Sequence, residues 1–443
     1  MSRLPALAAR NVGRNGRRSL ITGAAITVAV IMVMLLKGFV SGAAGLMVAD
    51  VVEGRSGAIQ VHKKGYVDSI ESVPTRLNIP YTPELIAKIQ AVPNVKGVTG
   101  RIVFNGLVGN GSTQTMFIGR AIDLERETQA CPRAKSTVRA GGEPLSPGDG
   151  AHVLIGYELS ESFGWAVPPP LPPTDALLTT SAAQRGALVA GSIAEWQAKA
   201  SAKRHTVSVQ STSPAGRSNA IDLEVKGYSV SSMPFENKRV LTVPLATAQA
   251  LIDLDGRVTE YAIGVEDLGH LEETKLALQA ALGPEFEVHS WHELNTFVRD
   301  VINRQNIVFS AISMVLFIIA LTVIANTMLM SVFERVREIG TLLAVGVRRR
   351  QVLQLFIIEA AVIGLIGGVI GAAVGRFALF VIATIGIPIE MPGTSGHALL
   401  QPSVTLPFVI GAVIAAMFGA LAASALPARR ASRLNPVDAL RNA

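Results

Sequence analysis

The 443-residue chain is 49% hydrophobic and 16% charged, with a mean hydropathy of +0.40. That is too apolar for an average soluble protein and too polar for a chain built only of membrane spans, so a few spans and one large soluble portion are expected. The net charge of +7 sits beside apolar runs, which excludes a nucleic-acid-binding surface, and the single Cys131 excludes an intramolecular disulfide.

The chain opens on a basic segment, residues 1–19, whose Leu4, Leu7, Ala8 and Val12 suit a cytoplasmic interfacial helix. The apolar run Leu20–Val40 begins the first predicted transmembrane helix, 20–45. Arg17, Arg18 and the small residues 41–45 would also suit a cleaved signal peptide. However, the unbroken run Leu20–Leu36 is longer than an ordinary signal core, which favours a retained span. Lys37 stands near its far end, where its stem can snorkel.

Residues 46–306 form the expected soluble domain, with 24 Lys/Arg against 28 Asp/Glu. In a first block, Ala58–Lys63 reads as a strand and Thr82-Pro83 as a helix start. Val98–Val108 and Thr113–Ile118 then read as a hairpin around the turn 109–112. In a second block, Ile221–Val230 and Arg239–Val243 are strands, followed by a helix over 244–253. A strand Thr259–Val265, a helix Leu268–Leu282 and a strand Phe286–His289 complete it. The two blocks predict two small α+β lobes on mixed sheets. Between them, about 121–220, the run Pro168–Pro173 and the Ser-rich stretch 206–219 predict an inserted subdomain with a stiff loop. Ser160, Asp149 and His152 are close in sequence, but proximity alone is weak evidence for a catalytic triad. No Cys/His spacing suits a metal, and there is no GxxxxGK[ST] phosphate loop, so neither catalytic, cofactor nor metal residues are assigned.

Three more spans follow, at 307–333, 352–385 and 404–426. The apolar stretch Phe377–Ile385 either extends the third span or lies at the interface. The loop 334–351 carries a short amphipathic helix. Ile339, Leu342 and Leu343 share one face, and Gly346 can stop it. A cytoplasmic helix of this kind is what a membrane subunit presents to a soluble motor; the plainer reading is an ordinary basic loop. Gly364, Gly367, Gly368, Gly371 and Gly375 let helices approach closely, either between two subunits or within one four-helix unit. Asn326 is a polar packing residue of the second span. Glu359 and Arg376 lie towards the ends of the third, so a hydrophilic pore through the bilayer has little support.

Fourteen arginines flank the spans, and 386–403 contains neither Lys nor Arg. The positive-inside rule then puts both termini, including the tail 427–443, and the 334–351 loop in the cytoplasm. The domain 46–306 and the loop 386–403 face the periplasm. The fold class is membrane α-helical, four transmembrane helices with a large α+β extracytoplasmic domain inserted after the first.

Three segments carry a family resemblance: Ala9–Thr22 (ARNVGRNGRRSLIT), the loop Glu334–Glu359 and Pro427–Leu440 (PARRASRLNPVDAL). In this order, around four spans with a large first outer loop, the chain resembles the FtsX/MacB-type permeases of ABC transporters. Phe117–Asp123 (FIGRAID) and Val153–Ser160 (VLIGYELS) look more like the LolC/LolE lipoprotein-releasing permeases than like FtsX. The chain departs from that pattern after Trp165, where the proline run replaces an expected turn and strand. The resemblance implies a non-enzymatic subunit working by mechanotransmission in a bacterial inner membrane. ATP would be bound by a separate cytoplasmic ABC ATPase dimer. Glu338, Ile339, Leu342, Leu343 and Gly346 would be the coupling helix docked in a groove of that ATPase. A second permease, the same or a homologous chain, membrane lipid, and a periplasmic adaptor or lipoprotein acceptor are the other implied partners. The cargo would be a lipoprotein or other lipophilic molecule. The alternatives are an FtsX-like scaffold regulating a cell-wall hydrolase and a MacB-like efflux permease with an adaptor.

Overall fold

In the computed structural model of the chain, residues 16–138, 142–165, 205–231, 234–385, 387–389 and 398–432 are described. The chain divides into two units, one of Met1–Ala44, Val301–Ile387 and Leu400–Ala443, the other of Gly45–Asp300 and Pro388–Leu399. The expected interfacial helix lies, except for its last residues, outside the described residues, as do Pro168–Pro173.

Among the described residues, the first unit contains four helices long and apolar enough to cross a membrane. They belong to α1 (Gly16–Val51) and, after the short helices of the other unit, α5 (Thr296–Glu334), α7 (Arg349–Ile385) and α8 (Leu406–Ser432). The short α6 (Val336–Ala344) separates α5 from α7. Ile26, Val30 and Met34 of α1 are buried in one cluster with Ile324, Ile363, Ala372 and Ala420. That packing is what a retained span makes. The stretch Phe377–Ile385 continues α7, which resolves its two readings in favour of helix.

The second unit holds helices α2 (Pro83–Gln90), α3 (Leu245–Leu251) and α4 (Leu271–Leu282). Its strands are β1 (Ile59–Lys63), β2 (Val95–Gly109), β3 (Gln114–Ile122), β4 (His152–Gly156) and β5 (Thr206–Thr212). The remaining four are β6 (Ser218–Ser229), β7 (Val240–Pro244), β8 (Glu260–Val265) and β9 (Phe286–Ser290). They form one sheet in the order β9-β1-β8-β2-β3-β7-β4-β6-β5, and β5 pairs back onto β2. The last six strands therefore close on themselves as a small barrel, filled by residues such as Phe104, Phe117, Val209 and Leu241. Where β2 faces β3, Phe104 lies opposite Gly119, and a Cβ there would strike the Phe104 ring. On the open half, α2 and α4 cover the sheet through Ile86, Ile89 and Leu278. Thr82 caps α2 by accepting from the Leu85 amide at 3.4 Å, with Pro83 in the first turn.

Two expectations are corrected here. The lobes do not follow the two sequence blocks: β1 of the first block lies between β8 and β9 of the second. Nor do the described residues of 121–220 stand apart as a subdomain, because they supply β4, β5 and the start of β6. The Ser-rich composition hid a strand in which Val207 and Val209 alternate inward, with Val209 opposite Val108.

The strands and the entry from the first helix are tied by buried charge. Arg101 on β2 is fully buried and donates to Glu127 at 2.5 and 3.2 Å, to Cys131 Sγ at 3.0 Å and to the Arg55 carbonyl. The Arg55 side chain donates to Ser231, Glu236 and Asp50. Arg120 on β3 reaches the other Glu236 oxygen at 3.2 Å. Burial pushes the Glu236 carboxyl up, but the Arg55 and Arg120 guanidiniums outweigh it and hold it at about 2. Because the folded value lies below the ordinary 4.5, the stability it contributes is complete above about pH 4.5 and is lost as pH falls towards about 2. Glu236→Gln should destabilise this unit by about 3 kcal/mol at neutral pH, since Arg120 and Arg55 both lose this carboxylate and Arg55 keeps only Asp50. It should also flatten the acid limb. All three tryptophans (Trp165, Trp196 and Trp291) fall within residues 46–306 of the sequence, so urea unfolding followed by their fluorescence reports on this part of the chain. Parallel pH profiles for variant and wild type would refute the assignment.

Candidate functional site

The amphipathic helix α6 has the pattern expected of it, but its apolar face points the other way. Ile339 is 3% exposed and packs with Val332, Val352, Phe356, Ala428 and Ala431, with Leu343 against the same cluster. The spacing that puts Ile339 and Leu343 on one face is satisfied by the chain's own helices. Ile339 is therefore not available to a groove of another protein, which corrects that part of the expectation. The outward face carries Arg337, Glu338, Thr341 and Ala344, and Val345 just beyond the helix is 86% exposed. The Leu342 side chain lies outside the described residues.

Both ends of α6 are held. At its far end, Val345 N donates to the Thr341 carbonyl at 3.0 Å and Gly346 takes φ +96°, a conformation that favours glycine. The next helix then starts with Arg348 N donating to Gln351 Oε1 at 2.9 Å. At the near end, Arg335 donates to Glu359 at 3.3 Å, and the Glu359 side chain is 4% exposed. This pair fastens the start of α6 to the inside of α7. Sequence reasoning noted Glu359 without finding its partner. The available signal was a carboxylate inside an apolar run, which needs a cation nearby.

The glycines of α7 divide between two neighbours. A side chain at Gly364 or Gly368 would meet Ala416 of α8, with Ala420 also facing Gly364. One at Gly367, Gly371 or Gly375 would meet Ile26, Val30 or Met34 of α1. Thr27 Oγ1 donates to the Gly367 carbonyl at 3.1 Å across that close approach. The stripe is thus used within this four-helix unit. Asn326, expected to pack, is exposed on α5.

The soluble unit contains no triad from Ser160, Asp149 and His152. Asp149 is held by Lys226 at 2.6 Å and lies 3.4 Å from His152, whereas the Ser160 hydroxyl donates to the Tyr157 carbonyl at 2.6 Å. Among the described residues no group of three His, Cys, Asp or Glu side chains is placed to hold a metal ion.

Glu359→Leu should expose the cost of the Arg335 pair, about 3 kcal/mol of local stability. Hydrogen exchange of the α6 amides should accelerate while α8 stays protected, and Arg335→Met with Glu359→Leu should restore protection. Unchanged exchange in the single variant would mean the pair holds nothing.

Residues 310–436 match the family model for the FtsX-like permease C-terminal domain. The macrolide export ATP-binding/permease protein MacB of Hyphomonas neptunium is 30% identical over 223 residues, 49% of this chain and 32% of that protein. MacB 2 of Aeromonas hydrophila is 35% identical over 173 residues, 37% of this chain and 25% of that protein. The chain therefore spans about a third or less of the length of these relatives. The crystal structure of the periplasmic region of MacB from Actinobacillus actinomycetemcomitans aligns with 55% of this chain and 92% of its own, at 11% identity and a TM-score of 0.34. Residues 310–436 form an FtsX-like permease C-terminal domain, and the chain is similar to the FtsX/MacB-type permeases of ABC transporters.

Proposed function

We propose that the chain is the permease subunit of an ABC transporter that works by mechanotransmission on a lipoprotein or other lipophilic cargo at the periplasmic face of the inner membrane. A separate cytoplasmic ABC ATPase dimer would supply the work, and a second permease, the same or a homologous chain, would complete the complex. The observation that carries this reading is α6: a short helix pinned by Arg335–Glu359 and by its own apolar face, presenting a polar outer face and the exposed Val345. A helix so fixed can pass a push from a docked partner into α5 and α7. The unbroken 39 residues of α5 suit a transmitting rod. The Glu359 carboxylate, two to three turns into α7, is buried and paired, so it offers no charged path through the bilayer. The flanking arginines support cytoplasmic termini and a periplasmic 46–306.

The relatives favour a second cargo. Proteins named for macrolide export match the chain, which supports a MacB-like efflux permease with a periplasmic adaptor. ATP hydrolysis by the reconstituted complex should rise with a triacylated lipopeptide under the first reading and with a macrolide under the second.

The coupling surface is tested by substitutions on the outer face. Val345→Asp and Glu338→Lys should leave the chain folded and weaken ATPase association more than about tenfold, the factor that about 1.4 kcal/mol gives. Ile339→Asp should instead lower the melting temperature of the isolated permease, because its carboxylate would be buried without a partner. Wild-type ATPase binding by both outer-face variants would remove α6 from the interface.

A further inference from the structure

Within the membrane unit, a cavity of about 410 Å³ lies between α1, α5 and α8. Its walls are small or apolar residues such as Ala29, Val33, Phe317, Ala412 and Ala416. Three runs of four-residue spacing lead out of it along one face of each helix: Ala29–Val33–Lys37, Ser313–Phe309–Gln305 and Ala416–Ala412–Phe408. At their ends the character changes from apolar to polar and aromatic. The Lys37 ammonium lies 5.1 Å over the Phe309 ring, which in turn sits 6.3 Å from Phe408.

Two polar atoms on the α5 run are buried without a hydrogen-bond partner: Ser313 Oγ, which lines the cavity, and Gln305 Oε1. Other hydroxyls of α5 bond back to their own helix, Ser310 to the Asn306 carbonyl and Thr322 to the Ile318 carbonyl. Ser313 makes no such bond, although the same option is open to it. Among the described residues no carboxylate lies within ion-pairing distance of Lys37. A cation without a carboxylate partner, a free donor and a free acceptor therefore run from the wall of an apolar chamber to its outer edge. Leaving such buried polar groups unsatisfied is costly.

We propose that this is a binding site for one anionic phospholipid with a hydroxylated headgroup. One acyl chain fills the cavity, and the Ser313 hydroxyl donates to the ester carbonyl at its root. Lys37 binds the phosphate, and Gln305 Oε1 accepts from a headgroup hydroxyl. The lipid would serve as a resident wedge between α1, α5 and α8. The proposal goes beyond the transport reading and does not depend on it.

The test uses the full chain, delipidated in detergent and titrated with dioleoyl-phosphatidylglycerol or dioleoyl-phosphatidylcholine under native mass spectrometry. Wild type should bind its first phosphatidylglycerol about five-fold more tightly than phosphatidylcholine, the gain of one lysine near an anionic head. Lys37→Gln should weaken phosphatidylglycerol binding more than phosphatidylcholine binding and so reduce that preference. Filling the chamber with Ala412→Phe should weaken both lipids. If that variant does not assemble, Ala29→Leu on the opposite wall makes the same measurement. ATPase association serves as the separate readout of the coupling surface and should not change in Lys37→Gln. Equal affinities for the two lipids in wild type, or undiminished binding by the filled variants, would overturn the proposal. So would displacement of phosphatidylglycerol by an equimolar triacylated lipopeptide, because the chamber would then be a cargo site.

Discussion

The close approach of α7 to its neighbours is the constraint on which the membrane unit depends. Between helices in a bilayer there is no hydrophobic driving force, since lipid tails are as apolar as side chains, so association rests on packing distance and on polar pairs. Glycines on two sides of α7 let α1 and α8 come near enough for backbone contact, as the Thr27–Gly367 hydrogen bond shows. The same helix then offers Val352, Phe356 and Glu359 to α6 and Arg335. One element thus positions both the bundle and the helix that meets the outside.

The anchoring of α6 changes what its sequence means. An amphipathic helix has one face to bury, and here the chain buries that face itself. Recognition by another protein must then use the polar residues and Val345 left outside. Such a surface would suit a partner that engages and releases, since permanent interfaces are the more hydrophobic ones. The buried Arg335–Glu359 pair also gives rigidity at a point where the backbone turns between two long helices.

The soluble unit solves a different problem by a related device. A single long strand, β2, serves both the open, helix-covered half of the sheet and the closed barrel, pairing with β8 near its start and with β5 near its end. Its Arg101 anchors the segment entering from the first helix through Glu127 and the Arg55 carbonyl. Buried ion pairs of this kind add little net stability over an apolar core, but breaking one is costly, so they penalise alternative arrangements. With Cys131 unable to form an intramolecular disulfide, packing and these pairs hold the unit together.

Much of this architecture was legible in the residues, because spans, caps and most strands are written in local patterns. A run such as Leu20–Val40 has only one comfortable environment, and Thr82-Pro83 starts a helix whatever surrounds it. The strand β5 was missed because serine composition outweighed the alternation of Val207 and Val209, and composition carries no information about pairing. The two-lobe division failed for the same reason: β1 joins β8 and β9 across more than two hundred residues of chain. The α6 residues were identified as an amphipathic set, yet a helical period says which residues share a face and not what that face meets. The glycines of α7 likewise announced close contact without naming the helix in contact. By itself the sequence determined the number of membrane-spanning segments, the inserted domain and the amphipathic helix, since each follows from short-range periodicity and transfer free energy. Only the tertiary structure decided that Ile339 and Leu343 are spent within the chain, that Arg335 answers Glu359 and that Gly367 meets α1, because partner choice depends on which distant surfaces are brought within a few ångströms.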